Sequence, residues 1–260
     1  EMIDAGVRAG ADLIVLETMT DLYEMRAALL AAKERSTLPV VCTMTFEENG
    51  RTFIGTSIES MAISLSALGA DAVGINCSLG PAEIAELIPK LLEYLPVLAV
   101  AKPNAGLPIP ESGDYSIGPE EFAIQMQRIA ASGVKLLGGC CGTTPDYIRA
   151  IRNAVNGITF TRAAPLKDFR VCSATKVVDA NRVRVIGERI NPTGKKLFKE
   201  ALLHHDIDYI LKQGLEQCRA GADILDVNVG HPEIDEPAMM VTGIKALQSV
   251  VEAPLQIDSS

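Results

Sequence analysis

The sequence predicts an α/β protein of two parallel-sheet domains in series, the first an incomplete (β/α)8 barrel. Three observations carry this. Short apolar, β-branched runs alternate with amphipathic helical stretches five times between residues 11 and 155, and that alternation makes a parallel sheet covered by helices on both faces. Chemistry-bearing residues follow several different strands, as at the mouth of a barrel, and the glycine-rich first turn of a doubly wound sheet is not found. The alternation then lapses over residues 157–182 and starts again.

Taken in order, Ala11–Glu17 (ADLIVLE) reads as a strand and Asp21–Arg35 as a helix, with Asp21 as N-cap and Glu24 in the capping-box position. Pro39–Thr45 is the second strand, and Ser57–Leu68 a helix stopped by Gly69. Asp71–Asn76 is the third strand, followed by a helix over Pro81–Tyr94 with proline at its first position. Val97–Ala101 and Val134–Leu137 are the next strands. Helices follow them over Pro119–Ala131 and from Pro145 to about Val155, the last capped by Thr144. An eight-unit barrel would have three more units ahead of these five. The chain opens on Glu1 inside a helical pattern, so it reads as a piece of a longer protein. The second series has strands at Arg184–Gly187, Asp223–Asn228 and Leu255–Asp258, and helices at about Ile207–Ala220 after cap Asp206 and at Pro237–Val251. The expected domains are 1–156 and 183–260, joined by a connection over 157–182.

Composition excludes several classes of function. The 260 residues carry 24 basic against 33 acidic groups, net −9, which argues against tracking nucleic-acid phosphates. Aromatics make up 4% and tryptophan is absent, too little for a stacking platform. No apolar run approaches the ~18–20 residues of a membrane helix. Six cysteines are too sparse for a disulfide scaffold, and with no signal peptide legible the expected location is the cytoplasm.

Three of those cysteines stand where strands end: Cys77 after DAVGIN, and Cys140 and Cys141 after VKLLGG. Adjacent residues on a regular strand point to opposite faces, so Cys140 and Cys141 can share one ion only if the backbone leaves β geometry. Gly138, Gly139 and Gly142 supply that freedom. Three thiolates can hold a tetrahedral zinc with one position open. Such a site is formally −1, a poor Lewis acid for water, but suited to holding a substrate thiol as a thiolate for alkylation. The competing reading makes the three cysteines buried small hydrophobes, like Cys42, Cys172 and Cys218. A vicinal disulfide at Cys140–Cys141 is a lesser alternative.

GINCSLGP around Cys77 and GGCCGTTPDYI around Cys140–Cys141 resemble the zinc motifs of the homocysteine S-methyltransferase family. LETMTD, TMTFEENGRTFIGTS and AKPNAGLP resemble that family's strand-end segments, so the likeness covers essentially residues 1–156. It implies zinc at Cys77, Cys140 and Cys141. It also implies that Glu17, at the end of LIVLE, binds the amino group of homocysteine. The residues alone leave a structural salt bridge equally open for Glu17. Asn76, beside Cys77, is expected to orient the metal loop and is grouped with the substrate-binding residues. Asn104 in the PNAG turn is a substrate contact or simply turn chemistry. The loop Phe46–Thr56 is a candidate cover for the mouth.

In the second region GERINPTG, ADILDVNVG and IDSS end successive strands. Read alone, Asp206 is an N-cap, Asn228 a loop cap and Asp258 the start of a turn. These segments resemble the pterin-binding domain shared by methyltetrahydrofolate methyltransferases and dihydropteroate synthases, itself a (β/α)8 barrel of which residues 183–260 would be less than half. The resemblance implies pterin contacts at Asp206, Asn228 and Asp258. Asn228 is then also the catalytic residue, in a site favouring pterin protonated at its methyl-bearing nitrogen.

A homocysteine-type zinc domain followed by a pterin-type domain is the order of the cobalamin-dependent methionine synthase family. The implied reaction moves a methyl group from 5-methyltetrahydrofolate to homocysteine by way of cobalamin, giving methionine. Cobalamin would be held by a domain outside this chain, and so short a piece is expected to be inactive alone. The alternatives are a homocysteine methyltransferase with another methyl donor, and a non-catalytic zinc-stabilised α/β module.

Overall fold

The computed structural model describes residues 1–110, 113–159 and 169–259. Positions 160–168 of the expected connection and Ser260 of the IDSS segment lie outside them. The chain divides into two compact units, Glu1–Lys167 and Asp168–Ser260.

The first unit opens on helix α1 (Met2–Arg8) and then repeats the strand–helix pair: β1 (Ile14–Met19), α2 (Leu22–Arg35), β2 (Val40–Met44), α3 (Ile58–Ala67), β3 (Ala72–Asn76), α4 (Pro81–Tyr94), β4 (Leu98–Lys102), α5 (Pro119–Ala131), β5 (Leu136–Leu137) and α6 (Pro145–Ala154). The five strands pair in the order β1-β2-β3-β4-β5, each neighbour parallel. Every crossover therefore steps the same way, without the reversal that defines a doubly wound sheet. The central strands β2 and β3 are almost wholly buried, whereas β1 and β5 are half-exposed edges. The core is built from Met44, Phe46, Ile75, Leu91 and Phe122 between sheet and helices.

This sheet is curled. Lys102 at the end of β4 is ion-paired with Glu17 of β1, and Thr18 of β1 is hydrogen-bonded to Asn76 of β3. In a flat sheet β1 and β4 would be about 14 Å apart at ~4.8 Å per strand. Curling brings the strand ends together around one mouth.

Helix starts follow local chemistry. Asp21 takes the Tyr23 amide at 2.7 Å, one residue earlier than a capping box with Glu24 requires. Ser57 takes the Ser60 amide at 3.2 Å. Thr144 sits at the N-cap of α6 but makes no side-chain cap bond there.

The second unit begins with a two-stranded antiparallel hairpin, β6 (Arg170–Cys172) and β7 (Val177–Asp179). Then come β8 (Ile186–Ile190), α7 (Lys196–Leu203), α8 (Ile207–Arg219), β9 (Ile224–Val227), α9 (Glu236–Gln248) and β10 (Leu255–Ile257). The parallel sheet is ordered β10-β9-β8 and packs on Ile190, Phe198, Leu202, Ile210, Leu225, Val227 and Leu247. Strand β8 runs three residues beyond the expected Gly187, its pairing with β9 irregular between Gly187 and Ile190. Helix α7 is an addition to the expected elements. Among the described residues no helix is long and apolar enough to cross a membrane.

Candidate metal and substrate site

The three strand-end cysteines converge: the sulfurs of Cys77, Cys140 and Cys141 all lie within 4.8 Å of one another. The Cys77 and Cys141 sulfurs are 3.7 Å apart. Two ligands of a tetrahedral zinc at about 2.3 Å each stand ~3.8 Å apart, so the trio fits a zinc ion in both donor type and spacing. Cys42, by contrast, is sealed in the core and burial pushes its thiol up to about 12, the behaviour of a structural cysteine.

Local backbone geometry produces the convergence. Strand β5 ends at Leu137, before Cys140, and Cys140 N donates to Pro103 O at 2.8 Å. Thr143 Oγ1 donates back to Cys140 O at 2.8 Å. A side chain at Gly139 would stand 2.4 Å from that hydroxyl, so only glycine fits. On the other side, Cys77 and Ser78 both adopt positive φ, 63° and 56°, as does Thr18 at 64°. Non-glycine residues held there cost about 1–3 kcal/mol each and cluster at functional sites. Cys77 N donates to Lys102 O at 3.1 Å, which ties this turn to the end of β4.

The sequence-predicted companions sit as follows. Asn76 is fully buried. Its Oδ1 accepts the Thr18 amide at 3.1 Å. Its Nδ2 donates to Thr18 Oγ1 at 2.7 Å and faces Cys140 Sγ at 3.8 Å. Asn104 is nearly buried, and its Oδ1 accepts the Cys141 amide at 3.0 Å. Both asparagines therefore brace metal-ligand candidates. Glu17 is at the mouth, paired with Lys102, so the salt bridge left open by the sequence is present. The loop after β2 lines an open cleft of about 500 Å³ through Glu47, Glu48 and Asn49, together with Ser78 and Leu79 beside Cys77.

Burial and the neighbouring Cys77 sulfur push the Cys140 thiol up to about 11. Without a cation Cys140 therefore holds its proton, and binding a metal there must displace it. Sequence reasoning missed Thr18, Lys102 and Tyr115, whose ring packs on Gly142 beside Cys141. Lys102 was findable: it ends β4 just before PNAG, as Glu17 ends the apolar run LIVLE. Tyr115 lies in a loop with no periodic signal.

In the second unit Asn228 and Asp258 are brought together, Asn228 Nδ2 donating to Asp258 Oδ2 at 3.0 Å. Asn228 Oδ1 accepts the Gly230 amide at 2.8 Å. Asp206 instead caps α8, accepting the Tyr209 amide at 3.0 Å, which is the plain helix-start role. A further acid, Asp226, is buried on β9 and accepts from Gln256 Nε2 at 2.8 Å. Burial and the nearby carboxylates of Asp258 and Glu188 push its carboxyl above the usual range. Its signal was a carboxylate inside the apolar run ILDV.

Against known proteins, the model of the family described as "Homocysteine S-methyltransferase" matches residues 1–155. The chain belongs to the homocysteine S-methyltransferase family. That is the membership the two cysteine motifs imply. The chain is also similar to the methionine synthases of Mycobacterium leprae (33% identical) and Mycobacterium tuberculosis (34% identical), each over 96% of this chain and 22% of the relative. It thus spans about a fifth of the length of the curated relatives it matches. Among solved structures, the homocysteine methyltransferase MmuM from Escherichia coli aligns at 26% identity in its apo form (TM-score 0.49, 58% of this chain and 53% of that one). Its metallated form aligns at 26% identity (TM-score 0.48, 58% and 48%).

Proposed function

We propose that this chain is part of a methionine synthase. In this reading residues 1–156 and 183–260 are arcs of two (β/α)8 barrels joined by 157–182, the first binding homocysteine and the second 5-methyltetrahydrofolate. Cobalamin, held by a part of the protein outside these 260 residues, would supply the methyl-carrying chemistry between them. The observation that carries the reading is the convergence of three cysteine sulfurs from two strand ends within 4.8 Å.

Cys77, Cys140 and Cys141 would hold zinc. Bound there, zinc supplies the charge that deprotonates the homocysteine thiol and keeps it as a nucleophilic thiolate. The chain's own residues do the rest. Asn76 and Asn104 fix Cys140 and Cys141 so that the trio is preorganised. Glu17 and Lys102 present one negative and one positive group at the mouth, a pair matched to the ammonium and carboxylate of an amino acid. In the second unit Asn228, oriented by Asp258 and the Gly230 amide, offers hydrogen bonds to the pterin ring.

Calorimetry tests the first half. Homocysteine should bind the zinc-loaded chain with release of about one proton below the free thiol's pKa of ~8.5. Binding should vanish after chelation. Thiol binding that survives complete metal removal would refute the reading. For the second half, Asn228→Ala should weaken 5-methyltetrahydrofolate binding about tenfold, the loss of one good hydrogen bond. Equal affinity in both proteins would remove Asn228 from the site.

A further inference from the structure

The segment between β4 and α5 reaches the sulfur trio. Its two ends run antiparallel: Ile117 N donates to Ala105 O at 3.0 Å and Ser116 N to Leu107 O at 2.9 Å, and Pro108 pairs with Tyr115. It is fastened at its base, because Ala105 N donates to Cys141 O at 2.9 Å and Tyr147 Oη donates to Ile117 O at 2.6 Å. The Tyr115 ring lies flush on Gly142, which has φ +80°, and a Cβ at that position would meet ring carbons at 2.3–2.7 Å. A glycine directly after Cys141 is therefore what admits the ring. So seated, the ring stands beside Cys141, the residue before Gly142, and burial together with the nearby Cys141 sulfur holds the phenol above its ordinary range. Cys141 is the exposed member of the trio, while Cys77 and Cys140 are half-buried.

That arrangement bears on a problem any trithiolate methyl-transfer site faces. A ligand thiolate is itself a nucleophile. If Cys141 attacks the alkyl carbon, a C–S bond forms, the leaving group departs with its electron pair, and the cysteine becomes a neutral thioether, a poor ligand. A hydrogen bond donated to the sulfur withdraws electron density from it.

We propose that Tyr115 is a positioning residue of this centre: its hydroxyl donates to the Cys141 sulfur and damps that ligand's nucleophilicity, so that the substrate thiolate and not Cys141 takes the methyl group. This rests on the zinc reading above. The test is alkylation of the zinc-loaded full chain by iodoacetamide, with each cysteine followed over time by mass spectrometry. In the unsubstituted protein Cys141, despite its exposure, should react no faster than Cys77. Tyr115→Phe keeps the ring on Gly142 and should speed modification of Cys141 about 3–10-fold, the scale of one charge-assisted hydrogen bond. Tyr147→Phe removes one hydrogen bond at the base of the segment while leaving the Tyr115 hydroxyl in place, and should move the Cys141 rate less than Tyr115→Phe does. Equal Cys141 rates in the parent and Tyr115→Phe proteins with one zinc bound would overturn the inference alone. So would a Tyr147→Phe rate as high as that of Tyr115→Phe, or a Cys141 that outruns Cys77 in the parent. A parent chain that takes up no zinc would overturn the zinc reading, and the inference with it.

Discussion

Cys140→Ser is expected to strip the first unit of its metal. Four-coordinate zinc sites bind with roughly 10–16 kcal/mol in total, about 3–4 kcal/mol per ligand, so losing one thiolate should weaken zinc about 10²–10³-fold. Competition against a chromophoric chelator reads this directly. The fold around the site should persist, because Cys140 is held by backbone bonds, its amide to Pro103 O and its carbonyl to Thr143. The parent's affinity should also rise with pH. The sign follows from proton counting: metal-free Cys140, pushed up to about 11, carries a proton that the metal-bound form lacks, so removing protons favours binding. Zinc affinity that is flat across pH 6–9, or equal in the serine variant, would contradict the site.

Asn76→Ala should be the most damaging single change to a residue that is not itself a ligand. The side chain is fully buried, and its amide ties β1, β3 and the Cys140 sulfur together: it takes the Thr18 amide, gives to Thr18 Oγ1 and faces Cys140 Sγ. Truncation leaves the Thr18 amide unpaired and opens a small void, at a cost of about 2–4 kcal/mol. Because Thr18 and Cys77 both hold positive φ beside it, that loss falls where the backbone is already strained. Zinc affinity should fall about 10–100-fold, the usual scale for a residue orienting a metal ligand. Asn76→Asp is the informative contrast. It can still accept from Thr18 N but brings a negative charge beside three sulfurs, so stability should recover more than metal affinity. Thermal unfolding and chelator competition on the two variants separate these effects. Identical zinc affinity in all three proteins would show that Asn76 only fills space.

Much of this architecture was legible because helix starts and strand patterns are local. Helices α4 and α5 begin on prolines and match their expected bounds, Pro81–Tyr94 and Pro119–Ala131. Other elements depended on non-local facts. Helix α7 has Lys195 at its N-cap with no side-chain cap bond, so capping logic could not mark it, and each strand of the β6–β7 hairpin is too short for a period to register. Strand β5 is only two residues, paired with β4 at Leu136 and Leu137, shorter than the stretch Val134–Leu137 that marks it in the sequence. The site divides the same way. The cysteines are legible from GINC and GGCC, since strand ends and flanking glycines are sequence features. Lys102 against Glu17, and Tyr115 on Gly142, arise from sheet curvature and from a loop folding back, neither of which any window of sequence contains.

Three cysteines that hold one metal, with a position left for a thiol, are the feature on which the proposed chemistry depends. Zinc-edge X-ray absorption on the metal-loaded chain, with and without homocysteine, tests it most directly. One zinc per chain is expected, with three sulfur neighbours near 2.3 Å, rising to four when homocysteine is added. A sulfur count that stays the same on adding homocysteine, or a chain that binds no zinc while Cys77, Cys140 and Cys141 remain reduced, would contradict it.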